Sequence, residues 1–227
     1  MQIGIFGTGV VGQTLATALA RKGHDVMIGT RDPAATMARE SGGAMNPTPF
    51  RDWIGGNPTV RVGTFAEAAR FGEVLVNATS GGGALPALEA AGAEALGEKI
   101  MLDAANPLDF SHGFPPTLSV CNTDSLGEQL QRAFPRLRVV KTLNTTNTRV
   151  MVDPQAVAGG DHTLFVCGND AEAKASVTRW LQEWFGWRDV IDLGDITTAR
   201  GTEMLLPVWL RLMQALGTPM FNFKIVR

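Results

Sequence analysis

Short apolar runs seeded with β-branched residues recur along the chain, separated by longer stretches rich in alanine and leucine. Runs of four to eight such residues predict buried strands, and longer Ala/Leu stretches predict helices. Strands are predicted over Gln2–Phe6, His24–Gly29, Thr59–Val62, Glu73–Asn77, Lys99–Leu102, Leu137–Leu143, His162–Cys167 and Arg188–Leu193, with a final short one over Phe221–Val226. Helices are predicted over Gln13–Arg21, Thr64–Phe71, Ala84–Leu96, Asp170–Phe185 and Ile196–Leu216. A short helix opens at Asp32-Pro33, with Asp32 as N-cap and Pro33 at the first helical position. Another opens at the capping box Ser125-Leu126-Gly127-Glu128 and runs to Phe134. Gly42–Pro58 holds four glycines and three prolines in seventeen residues and reads as a loop or flap. Asp109–Asn122 also reads as a loop.

Strands that alternate with helices imply right-handed crossovers and a mostly parallel sheet. The first strand runs into Gly7-Thr8-Gly9-Val10-Val11-Gly12 and then a helix, the context in which GxGxxG binds a dinucleotide. Gly7 allows the tight turn, Gly9 lets the backbone approach a pyrophosphate, and Gly12 lets the helix pack close to the sheet. The N–H groups of Val10 and Val11 face the phosphates at the helix N-terminus. At the end of the second strand an NAD site places a carboxylate; this chain has Thr30 and Arg31, nineteen positions after Gly12. A guanidinium and a hydroxyl suit a 2′-phosphate, so the cofactor expected is NADP(H). Thr79, Ser80 and Gly81 could flank the nicotinamide ribose, and Ala104 to Pro107 the ring, although ordinary turn chemistry accounts for both stretches equally. The expected architecture is α/β: a Rossmann-like, doubly wound, mostly parallel sheet over residues 1–142, with a small C-terminal α/β part over 143–227.

Composition narrows the chemistry. The net charge of −2 gives no basic field for nucleic acid or an anionic membrane. There is no tyrosine, so a Tyr/Lys general-acid pair is impossible. The three histidines, His24, His112 and His162, are far apart, and no metal-ligand spacing or nucleophile elbow appears. No metal and no catalytic side chain is assigned. Cys121 and Cys167 cannot build a disulfide framework, which suggests a reducing cytoplasm. No basic leader and no apolar run of bilayer length is visible. Lys141 reads as a strand-edge lysine more readily than as a proton donor, and His162 as solvent-facing. Trp180, Trp184, Phe185 and Trp187 read as core. Arg200 and Glu203 read as a local i,i+3 ion pair or a subunit contact. The last helix is apolar nearly all round, which predicts burial on every face and a homodimer interface.

The chain resembles the NADPH-dependent reductases of the deazaflavin coenzyme F420 over nearly its whole length. The resemblance rests on the Gly7–Gly12 loop, on Gly29-Thr30-Arg31, on Lys141-Thr142-Leu143-Asn144-Thr145, on Phe165-Val166-Cys167-Gly168, and on Asp192-Leu193-Gly194 leading to Arg200 and Glu203. It implies a homodimer that holds NADP with its 2′-phosphate on Thr30 and Arg31, and F420 as the hydride acceptor. The ferric-reductase domains of metalloreductases look similar. Family members typically carry Pro-Trp where this chain has Thr79–Gly83, and His and Pro where Asn144 and Asn147 stand. They also commonly add a basic residue where Ala34 and Ala35 stand. Asn144, Thr145 and Asn147 are placed to hydrogen-bond an acceptor ring, or else to cap a turn. A flavin, quinone, metal chelate or small carbonyl is the alternative acceptor, and a non-catalytic NADP(H) sensor the alternative of another class.

Overall fold

The strand that carries the glycine loop sits inside an eight-stranded sheet. In this computed structural model, which describes residues 1–41 and 48–227, β1 (Gln2–Phe6) lies parallel to and between β2 (Asp25–Thr30) and β4 (Val74–Asn77). Ile5 stands opposite Ile28 on one side and Val76 on the other. β3 (Arg61–Thr64) closes one edge; β5 (Ile100–Asp103), β8 (Arg138–Thr142), β9 (Thr163–Cys167) and β10 (Asp189–Asp192) extend the other. The order is β3-β2-β1-β4-β5-β8-β9-β10, and every neighbouring pair is parallel except β8 with β9. β6 (Leu108–Asp109) and β7 (Thr117–Leu118) form a separate two-stranded ribbon. The order reverses between β1 and β4, where an open α/β sheet leaves a crevice beyond the carboxyl ends of its strands.

Both faces of the sheet are covered, as continuous apolar strands require. On one face Ile3 and Ile5 meet Leu15 and Leu19 of α1 (Val10–Arg21), Val150 of α8 (Thr148–Val152), and Val177 and Trp180 of α9 (Ala171–Trp180). On the other, Phe6, Leu75 and Met101 meet α4 (Phe65–Phe71), α5 (Gly81–Ala91), α6 (Ala93–Leu96) and α7 (Leu126–Ala133). The tryptophans pack as core: Trp180 and Trp184 stack 5.3 Å apart and nearly parallel. Asp32 caps α2 (Pro33–Ala38) by accepting from Ala35 N at 2.9 Å. Ser125 accepts from Glu128 N and donates to the Glu128 carboxylate, so that box closes through its side chains.

Several expectations are corrected. Part of the 42–58 loop is the helix α3 (Phe50–Gly55). Phe50, Trp53 and Ile54 lie at i, i+3, i+4, a helical stripe that the surrounding glycines and prolines obscure; residues 42–47 lie outside the described ones. The 84–96 helix starts earlier, at Gly81, and breaks at Gly92, whose φ is 85°. Residues 221–226 form no strand; Thr163 N donates to Phe223 O, but no ladder follows. His162 is buried, not solvent-facing: its Nε2 donates to Pro154 O and its Nδ1 accepts from Asn222 Nδ2. His24 packs edge-on against Trp184, and burial, followed by the N-terminal charge, lowers its pKa.

The last helix, α10 (Ala199–Leu216), is not buried on every face. Leu206, Trp209 and Leu210 face inward, whereas Met204, Val208 and Leu216 are 38%, 50% and 56% exposed. Glu203 stands among the inward residues, so the helix is less uniformly apolar than its outline suggests.

Neither cysteine is bonded; Cys121 is exposed and Cys167 buried. Burial pushes the Cys167 thiol up to about 11, which keeps it protonated at neutral pH. A chromogenic disulfide reagent at pH 8 is expected to titrate one thiol per native chain and a second only after unfolding. Two fast-reacting thiols in the native protein would contradict this burial.

Candidate functional site

The crevice at the order reversal is a cleft of about 560 Å³. Its floor is the glycine loop, and each glycine there has a different reason to be one. Gly7 turns out of β1 with φ 117°, and a Cβ on it would stand 2.4 Å from Ala78 O. A Cβ on Gly12 would stand 2.1 Å from Gly7 O, so α1 reaches the sheet only because none is there. Gly9 differs: its φ is −78°, open to any residue, and apart from its chain neighbours no atom of the described residues lies within 4 Å of its would-be Cβ. The fold itself does not require glycine at this position. The space above Gly9 belongs to the cleft, which is what close approach of a phosphate to the backbone would use. No side chain caps the N-terminus of α1, and its first turn carries no acid. Its first N–H groups and the helix dipole therefore favour an anion.

One end of the cleft is basic. Arg31 and Thr30 line it, as expected from the sequence. Thr30 is buried, and its hydroxyl shares a 2.8 Å hydrogen bond with Thr36 Oγ1. Arg39 joins them, a residue the sequence reading missed. Its Nη2 lies 2.8 Å from Thr36 Oγ1 and 3.5 Å from Thr8 Oγ1, so it reaches from the end of α2 to the glycine loop. A helix opening at Pro33 puts Thr36 and Arg39 three residues apart on one face, which was the available signal. Arg39 thus adds a second basic side chain to this end of the cleft. The Asp32 carboxylate is occupied in capping.

The other end is walled by the tip of β4, beside which stand the tips of β5 and β8. Thr79 and Ser80 line the cleft. Thr79 N and Oγ1 both donate to Asn77 Oδ1, at 3.3 and 2.7 Å. Asn77 Nδ2 donates to Asp103 Oδ1 at 2.8 Å. Asn106 and Asn144 are joined reciprocally: Asn106 Nδ2 donates to Asn144 O at 2.8 Å, and Asn144 Nδ2 to Asn106 Oδ1 at 3.0 Å. Leu143 before them takes a left-handed φ of 63°, a strained conformation for a leucine, where the chain turns out of β8. The structure therefore brings Asn106 and Asn144 together, with Ala104 and Thr145 buried in the same two tips. These four do not line the cleft itself. Asn147 caps α8 by accepting from Arg149 N at 2.9 Å.

Lys141 is not a strand-edge lysine. β8 lies between β5 and β9, and the Lys141 side chain is fully buried. Its Nζ reaches Asp103 Oδ2 at 2.7 Å, Ala105 O at 2.7 Å and Glu203 Oε1 at 2.8 Å. Burial alone would lower its pKa, but the Asp103 and Glu203 carboxylates outweigh that and raise it. Arg200 and Glu203 do not pair with each other: Arg200 makes a two-pronged contact with Glu128, and Glu203 accepts from Leu126 N and Gly127 N. The Arg200 guanidinium lowers the pKa of Glu128. Among the described residues no cluster of three His, Cys, Asp or Glu side chains could hold a metal, and no helix is long and apolar enough to cross a membrane.

The glycines can be separated by experiment. Gly9→Ala is expected to leave the melting temperature unchanged while weakening dinucleotide affinity by about tenfold or more, the scale of one lost charge-assisted contact. Gly12→Ala is expected to lower the melting temperature outright. Calorimetry and thermal melts on the two variants check this; destabilisation by Gly9→Ala would contradict it.

Comparison with known proteins agrees with this geometry. The pattern of the family described as NADP oxidoreductase, coenzyme F420-dependent, matches residues 2–107. The crystal structure of a candidate F420-dependent NADP-reductase from Arthrobacter sp. FB24 has a TM-score of 0.95, with 60% identity over 100% of both chains. Metalloreductase STEAP3 of Rattus norvegicus is 27% identical over 216 residues, 92% of this chain; the chain spans 38% of that longer protein. A reductive aminase from Aspergillus terreus, solved with NADPH and ethyl levulinate, shares the fold with a TM-score of 0.62 at 18% identity, over 94% of this chain and 62% of that one. The chain belongs to the NADP oxidoreductase family described as coenzyme F420-dependent.

Proposed function

We propose that the cleft binds NADP(H) and that the protein passes a hydride between it and the deazaflavin F420 or a similar planar acceptor. The observation that carries the reading is the cleft itself: an open approach at Gly9, and two arginines where an NAD site would put a carboxylate. The backbone at Gly7, Thr8 and Gly9 and the start of α1, with Val10, Val11 and Gly12, would hold the pyrophosphate. Arg31 and Arg39, backed by Thr30 and Thr36, would hold the 2′-phosphate. Thr79 and Ser80 would flank the nicotinamide ribose, Ala104 and Asn106 the ring, and Asn144, Thr145 and Asn147 the acceptor. When bound, the nicotinamide supplies the carbon that gives or takes the hydride.

Among the described residues, the ionisable side chains lining the cleft are Arg31, Asp32 and Arg39. The Asp32 carboxylate is engaged in its cap, accepting from Ala35 N. Among the described residues the cleft thus offers groups that orient a nucleotide and no free carboxyl, imidazole or ammonium to donate a proton. That suits transfer between two stacked rings, whose ring nitrogen can exchange protons with solvent, better than reduction of a carbonyl or imine. The likeness to a metalloreductase makes a ferric chelate the second acceptor to test.

The remaining parts of the reading concern assembly. Residues 1–142 would form the nucleotide-binding part, and 143–227 the acceptor and dimerisation part. A homodimer would cover the exposed Met204, Val208 and Leu216 of α10. Unbonded thiols suit a reducing cytoplasm.

Mixing the protein with NADPH and oxidised F420 is expected to bleach the deazaflavin's visible absorbance with turnover. NADPH binding without F420 turnover would remove F420 as acceptor, and turnover of a ferric chelate instead would favour the second one. Arg31→Ala and Arg39→Ala are each expected to weaken NADPH by about ten- to a hundredfold while leaving NADH within a factor of about two. Equal losses for both nucleotides would show that these arginines do not read the phosphate. In sedimentation, Val208→Asp is expected to convert a dimer to a folded monomer; a wild-type monomer at micromolar concentration would remove the dimer.

A further inference from the structure

We propose that Lys141 is a positioning residue whose buried ammonium holds the tips of β5 and β4 in the register that receives the nicotinamide half of the nucleotide. The inference rests on the reading of the cleft as an NADP(H) site. An ammonium has three donors, and all three are used: on Asp103 Oδ2, on Ala105 O and on Glu203 Oε1. Two of these acceptors lie two residues apart on the end of β5, so the lysine clamps the backbone around Ala104. Asp103 passes the constraint on. Its Oδ1 accepts from Ala105 N at 3.2 Å and from Asn77 Nδ2 at 2.8 Å. Asn77 in turn accepts from Thr79 N and Oγ1, and Thr79 is a wall of the cleft. A chain of hydrogen bonds thus runs from a fully buried amine to the cleft surface.

The third acceptor explains how two carboxylates share one amine. Glu203 also accepts from Leu126 N and Gly127 N, at 2.9 and 3.0 Å. These are the first N–H groups of α7, where the helix dipole favours negative charge. Asp103 is balanced by the lysine, and the surplus charge rests on the α7 terminus. Glu203 is therefore a braced anchor against which Lys141 holds β5. A buried ion cluster adds little stability over well-packed apolar side chains of the same volume, so stability alone does not account for it. What apolar side chains could not do is grip a backbone carbonyl and an Asn–Thr chain in one register.

The test separates the two halves of the nucleotide. Lys141→Met removes the donors at nearly constant length, and the triple variant Lys141→Met, Asp103→Asn, Glu203→Gln leaves no carboxylate of the cluster unpaired should the single variant fail to fold. Two probes are used: 2′,5′-ADP by calorimetry, for the adenylate half, and the emission anisotropy of bound NADPH, for the reduced nicotinamide. The expected result is 2′,5′-ADP affinity within about twofold of wild type, together with loss of most of the anisotropy gained on binding. Wild-type anisotropy in the variant would overturn the proposal. So would a parallel loss of 2′,5′-ADP affinity by about tenfold or more, because that marks general loosening and not positioning. Wild-type protein that binds neither probe would instead overturn the reading of the cleft.

Discussion

Two carbonyl oxygens leave no room for a side chain where the first helix begins. Ala78 O crowds Gly7, and Gly7 O crowds Gly12. Because both positions lack a Cβ, α1 descends onto the sheet at the point where strand order reverses, and its N-terminus opens into the crevice. A side chain at either would push α1 away from β4 and misdirect the N–H groups that favour an anion. The shape of the cleft and the aim of the helix dipole into it depend on that contact. Gly9 stands between these two crowded positions in open space, which separates what folding asks of the loop from what a ligand asks of it.

The cleft is held by different physics at its two ends. At one end the charges are Arg31 and Arg39, both at the surface, and Arg39 is tied to the fold through Thr36 and Thr8. Exposed guanidiniums keep much of their hydration and can adjust to a phosphate at little cost. At the other end the charges are buried, and what faces the cleft is neutral: Thr79, fixed through Asn77 to Asp103. The first end is suited to attract an anion, and the second to hold an uncharged ring at a set height.

The parallel core was legible because its signals are local. Ile3, Ile5 and the glycine loop announce β1 and α1, and Asp32-Pro33 announces a capped helix. The cofactor end was half legible: Arg31 follows its strand directly, whereas Arg39 reaches the cleft only because α2 returns it there. The buried network was not legible. Lys141 is separated from Asp103 by 38 residues, and nothing in the alternation of β8 says that its neighbours on both sides are strands. A lysine in an apolar strand looks like an edge residue until its partners are known. The same holds for Arg200 and Glu203, whose i,i+3 spacing suggested each other while their partners lay on α7 and β8. Local spacing outvoted tertiary contact in both readings, and burial decided the matter.

α10 shows why a helix can look uniformly apolar and still carry two unlike faces. Inward, Leu206, Trp209 and Leu210 pack while Glu203 takes a lysine and two backbone N–H groups. Outward, one residue after Glu203, Met204 begins an exposed row that Val208 continues four residues later. Four-residue spacing keeps such residues on one side of a helix, so the charged anchor and the exposed apolar row diverge from adjacent positions. The row cannot shift far along the helix axis without drawing Glu203 off the α7 terminus, and Glu203 cannot leave without releasing one of the three acceptors that hold β5. A surface that buries this row therefore bears on the helix that anchors Lys141, and four polar contacts link Glu203 through Lys141, Asp103 and Asn77 to Thr79 at the cleft.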